Sequence, residues 1–209
     1  DLFKGLAIEL LETEWNTHAV LHLDLNAEKY DSPERLHDML EFQLRVWEET
    51  YGTGGKGITH SGRFMEVIQR AYEKTGRGVV VLIDEYDKPL LNSFQDEDLQ
   101  RSFRDTLTAF YSVLKSADQW LRFVFITGVT KFAQMGIFSN LNQLVDISLT
   151  RPYATLCGIT LEEIEATFEP EIEQLMESHD LLRKELLEQL TCRYDGYRFS
   201  PGNVPRMFN

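Results

Sequence analysis

Cysteine, positive charge and long apolar runs are all scarce in this 209-residue chain. Two cysteines, Cys157 and Cys192, are too few for a disulfide scaffold and lack metal-ligand spacing. They predict ordinary small core residues in a reducing compartment, so the cytoplasm is the expected location. No apolar run reaches the roughly 18 residues of a membrane helix, and the N-terminus carries no signal-peptide pattern. Membrane partners are therefore not expected. Against 34 acids stand only 21 bases, a net charge of −13, which argues against direct contact with nucleic acid or an anionic membrane. The deficit is local: residues 161–190 hold ten acids and two bases, a net charge of −8, and predict a solvated helical face. The five histidines (18, 22, 37, 60 and 179) form no ligand spacing.

Apolar residues make up 43% of the chain, enough for a real core, and the mean hydropathy of −0.30 fits a water-soluble protein. Helical stripes alternate with short strands. Ala19–Leu25 reads as a strand; Ser32-Pro33 opens a helix with Leu36, Leu40, Leu44 and Trp47 on one face. Phe64, Val67, Ile68, Ala71 and Tyr72 form a second stripe. Gly76-Arg77-Gly78 then launches Val79–Ile83, five apolar residues of which four are β-branched. That run predicts a parallel-sheet strand buried on both faces. The longest amphipathic helix, Leu99 to Leu114, leads into a strand at Leu121–Ile126, and a weaker strand is expected at Leu144–Leu149. Helix-separated strands imply right-handed crossovers and an α/β sheet. Beyond Pro152 the pattern turns helical, starting with the capping box Thr160-Leu161-Glu162-Glu163, and Tyr194–Phe199 reads as an aromatic turn. The expected division is residues 1–152 and residues 153–209.

The strongest chemical signal is Asp84-Glu85 at the end of the Val79 strand, followed by Tyr86, Asp87 and Lys88. Ligands of open α/β sheets bind beyond the carboxyl ends of the strands. Two acids emerging there can take separate roles. Asp84 is expected to hold magnesium through its water shell, and Glu85 to orient and deprotonate an attacking water. This is a Walker B arrangement, with Asp87 as a second candidate metal ligand. At the next strand end, Thr127-Gly128-Val129-Thr130-Lys131 offers Thr127 or Thr130 to sense a terminal phosphate and Lys131 to neutralise it. Asp24 ends the first strand and either supports the site or caps its own turn. The glycine loop 52–59 resembles a phosphate loop but fails the G-x-x-x-x-G-K-[ST] pattern at both ends: Thr50 replaces the first glycine and Gly57 the hydroxyl.

Six blocks resemble the bacterial AAA-ATPase-like family, in the family's order and over nearly the whole chain. They are Ile83–Leu90, Phe110–Lys115, Phe125–Phe132, Ile137–Asn142, Tyr153–Gly158 and Tyr194–Phe199. The resemblance implies a P-loop NTPase sheet sandwiched by helices and followed by a small helical, lid-like subdomain. It implies ATP and magnesium as ligands, with Asp84 for the metal, Glu85 for water activation and Thr127 as sensor. It also implies a downstream nuclease-like domain of the PD-(D/E)XK superfamily in the same chain. Family members carry an R-R-F-G-K-S loop upstream of the position of Asp1, and they continue past Phe208-Asn209. The expectation is thus an internal fragment, lacking the first strand and its phosphate loop, that hydrolyses ATP only as part of the complete chain. Oligomerisation is left open. Two other readings compete: a nucleotide-gated switch with little turnover, and a magnesium-dependent phosphotransferase or nuclease that uses Asp24, Asp84 and Asp87 directly.

Overall fold

A computed structural model describes residues 2–130, 136–138 and 141–208. Two compact units divide the chain, Asp1–Gln143 and Leu144–Asn209. No helix among the described residues is long and apolar enough to cross a membrane.

The first unit opens with a short exposed helix, α1 (Ala7–Leu11), and is built on three parallel strands: β1 (Val20–Asp24), β2 (Val79–Asp84) and β3 (Leu121–Ile126). The order is β1-β2-β3, with the most β-branched strand in the centre. Register aligns Asp24 with Asp84 and Ile83 with Ile126, so three strand ends reach one sheet edge together. Leu21, Leu23, Val79, Val81 and Ile83 are buried on one face. The residues that alternate with them remain partly open, with Val20 and Phe123 about half exposed at 48% and 53%. Full burial on one face and partial burial on the other is a more modest outcome than the apolar run Val79–Ile83 predicts.

Two long helices precede β2. One is α2 (Pro33–Tyr51), with Pro33 in its first turn, and the other is α3 (His60–Thr75), capped by the Thr59 hydroxyl on the Gly62 N–H. Between β2 and β3 lie α4 (Lys88–Asn92), α5 (Glu97–Tyr111) and α6 (Val113–Ser116). Their apolar stripes meet in a chain of rings. Trp47 stacks on Phe64 at 5.4 Å, Phe64 on Phe110 at 4.5 Å, and Tyr111 on Phe138 at 5.3 Å. Phe138 in turn lies 5.0 Å from Tyr86, so the core runs without a break from α2 to the turn after β2. Arg63 of α3 donates to both Glu48 oxygens at 2.7 Å and also bonds Glu41, joining α2 to α3.

The second unit holds α7 (Leu161–Thr167), α8 (Glu169–His179) and α9 (Arg183–Tyr194), then a small antiparallel pair, β4 (Asp195–Tyr197) with β5 (Met207–Phe208). Thr160 and Glu163 form the reciprocal capping box. Arg183 bonds Glu165 and both oxygens of Glu169, fastening the three helices. A cavity of about 470 Å³ is lined by apolar side chains such as Ile164, Phe168, Ile172 and Leu190.

Three expectations change. Residues 144–149 form no strand; their chain is irregular, with the Asp146 carboxylate drawn onto the Ser148 N–H at 2.9 Å. The aromatic turn Tyr194–Phe199 instead supplies β4. Cys157 and Cys192 are exposed, not core residues, because they fall on a turn and on an outward position of α9.

Candidate functional site at the carboxyl end of the sheet

β2 ends abruptly because its last residue is charged. Asp84 is exposed, and its Oδ1 accepts from the Glu85 N–H at 3.1 Å. Glu85 then adopts a left-handed backbone at φ 54°, which a non-glycine residue occupies only at a cost. The turn closes with the Lys88 N–H on the Glu85 carbonyl at 2.9 Å. Tyr86 and Asp87 both turn inward and are buried, at 1% and 0% exposure.

The end of β3 is laced to this turn. The Thr127 N–H donates to the Ile83 carbonyl at 2.8 Å, and the Tyr86 N–H to the Thr127 carbonyl at 3.0 Å, carrying the ladder one step beyond the strands. The Thr127 hydroxyl hydrogen-bonds Asp84 Oδ1. Asp84 and Thr127 therefore meet at the ends of strands that pair directly, with Glu85 the next residue in the chain.

Thr130 takes a different place from Thr127. Its hydroxyl donates to Asp87 Oδ2 at 2.5 Å and its N–H to the same oxygen at 2.6 Å. The Val129 N–H reaches Asp87 as well, at 3.1 and 3.2 Å. Of the two threonines, Thr127 faces the exposed acid and Thr130 the buried one. Lys131 lies outside the described residues, as do Phe132, Ser139 and Asn140 of the family-like blocks.

Asp24 sits opposite Asp84 in register, but its carboxylate accepts from the Asn26 N–H at 2.8 Å and caps the turn after β1. Asp87 is enclosed by peptide N–H groups. Asp87 thus does not join Asp24 and Asp84 in one cluster, and among the described residues no group of three or more His, Cys, Asp or Glu side chains could hold a metal ion. The direct metal reading built on that triple loses its basis.

The glycine loop is also accounted for. The Lys56 and Gly57 N–H groups donate to Glu66 Oε1 at 3.1 and 2.8 Å, so a carboxylate of α3 fills the place an anion would take. Gly57 itself passes so close to α3 that a Cβ would stand 2.6 Å from the Arg63 nitrogen.

Residues 1–138 match a family described as "Predicted AAA-ATPase". The chain belongs to the AAA-ATPase-like family. A further similarity runs over all 209 residues, at 32% identity, to a protein of Azotobacter chroococcum mcd 1 titled "Uncharacterized protein in vnfD 5'region". The chain spans 38% of that relative's length. No solved structure matches.

Sequence reasoning finds the Asp84–Thr127 pairing for this AAA-ATPase-like chain but not the parts that hold it. The inward Asp87, the left-handed Glu85 and the Tyr86 hydroxyl on the Thr130 carbonyl at 2.5 Å are absent from periodicity. One signal was available: a Thr-Gly pair directly after a strand marks a backbone that something approaches closely.

Proposed function

We propose that this chain carries the acid and sensor strands of an ATPase, whose complete form binds ATP and hydrolyses it with magnesium. The observation that carries the reading is the Thr127 hydroxyl on Asp84, at the ends of paired parallel strands, with Glu85 next in the chain. Asp84 fits a magnesium ion: Oδ1 is engaged by Thr127 and the Glu85 N–H, while Oδ2 has no hydrogen-bond partner among the described residues. Magnesium keeps several waters and takes one or two carboxylates besides phosphate oxygens, so a three-carboxylate cluster is not required. When bound, the ion supplies neutralisation of phosphate charge. Asp84 would hold the ion, Glu85 would accept the proton of an attacking water, and Thr127 would position the terminal phosphate. The strained backbone of Glu85 supports a functional rather than a folding role for that residue.

Beyond the site, β3 has a strand partner on one edge only among the described residues. We assign the other edge to the strand that leads into the phosphate loop in the complete chain, and the second unit to a lid that couples hydrolysis to a nuclease-like domain. The test uses the full-length protein. Glu85→Gln is expected to keep ATP binding, measured by fluorescence of a labelled nucleotide, and to abolish phosphate release. Unchanged ATP-dependent behaviour without turnover would favour a switch; equal hydrolysis in variant and wild type would reject the reading.

A further inference from the structure

Asp87 lies two residues beyond Glu85, yet it is fully buried and its carboxylate hydrogen-bonds Val129 and Thr130 instead of the neighbouring acids. Its carboxylate receives the Val129 N–H, the Thr130 N–H and the Thr130 hydroxyl, the last two at 2.6 and 2.5 Å. No cation pairs with it among the described residues. A buried carboxylate without a counter-ion is tolerated only where donors replace its water, and here the donors all come from one turn. Asparagine keeps one acceptor oxygen for these donors, but a neutral one, so the charge-assisted bonds weaken and its NH2 is set against the Val129 N–H.

We propose that Asp87 is a positioning residue that fixes the 127–130 turn, and through it the Thr127 hydroxyl, against Asp84 and Glu85. The inference rests on the ATPase reading above. The turn is clamped at both ends. At its start, Thr127 is held by backbone bonds to Ile83 and Tyr86. At its end, Thr130 is held by two consecutive residues of the β2 turn, through the Asp87 carboxylate and the Tyr86 hydroxyl. Gly128 lets the two turns close, because a Cβ there would lie 2.7 Å from Asp87 Oδ1. Loss of the Asp87 clamp frees the end of the turn, and the sensor hydroxyl moves off the position set by Asp84. Nucleotide affinity, which depends on phosphate contacts elsewhere, stays.

Asp87→Asn in the full-length protein tests this with two readouts. Hydrogen exchange of the peptide covering 127–130 is expected to accelerate roughly tenfold or more, the loss of a charge-assisted bond. Separately, kcat for ATP is expected to fall roughly 10–100-fold with KM within about twofold, the signature of misplacement rather than lost binding. Thr130→Ser, which keeps the hydroxyl, should stay near wild type, whereas Thr130→Val should share part of the loss. Unchanged exchange in Asp87→Asn overturns the clamp, and faster exchange with unchanged kcat overturns its link to hydrolysis. A wild-type protein that does not hydrolyse ATP rejects the ATPase reading instead, while exchange still decides whether Asp87 holds the turn. If Asp87→Asn does not fold, the Thr130→Ser and Thr130→Val pair decides by the same two measurements, and equal behaviour of the two overturns the proposal.

Discussion

Replacing Gly128 with alanine sets a methyl group 2.5 Å from two carbons of the Tyr86 ring and 2.7 Å from Asp87 Oδ1. Neither neighbour can retreat. The Tyr86 ring packs 5.0 Å from Phe138 and its hydroxyl is tied to Thr130, while Asp87 is held by three donors. Overpacking a site of this kind costs about 1–3 kcal/mol, and disturbing hydrogen bonds to a charged group adds about 1.5 kcal/mol. A total of about 3 kcal/mol lowers Tm by roughly 6–12 °C for a domain of this size. Differential scanning calorimetry on Gly128→Ala and wild type reads this directly. Gly196→Ala is the control, since a Cβ there meets nothing within 4 Å, and it should melt with the wild type. A Gly128→Ala protein melting within about 2 °C of the wild type would refute the close apposition of the two turns.

Two further outcomes follow from the packing and the charges. Phe64, buried between the Trp47 and Phe110 rings, should cost about 3–5 kcal/mol on truncation to alanine, read from the urea midpoint; a loss under about 1 kcal/mol would contradict the ring chain. The Glu41 carboxyl is held below the ordinary glutamate value of 4.5 by a hydrogen bond from Arg45, with Arg63 assisting. A depressed carboxylate contributes stability that is present above its unfolded value and lost as pH falls through the folded one. Glu41→Gln should therefore lower Tm slightly at pH 7, and the gap should close well below pH 4.5; an equal gap at both ends would contradict the pairing.

The legibility of the chain follows from what drives each element. β2 and β3 are visible because β-branched and aromatic runs between helical stripes have few alternatives, and once both are placed, Asp84 and Thr127 fall at one edge. The capping box at Thr160 is visible because its chemistry is local. The inward turn of Asp87 is not, because sequence spacing cannot tell a carboxylate facing water from one enclosed by peptide N–H groups. The 144–149 stretch has the composition of a strand but pairs with no strand among the described residues. The two-residue β5 is too short for any periodicity to register. Glu66 filling the glycine loop is a tertiary event between residues ten apart, outside the reach of a motif.

A double-mutant cycle on ATP turnover by the full-length protein tests most directly whether Asp84 and Thr127 act as one device. Asp84→Asn and Thr127→Val should each slow hydrolysis, and the double variant should be no slower than the worse single one. Losses that simply multiply would show two independent sites and contradict the account.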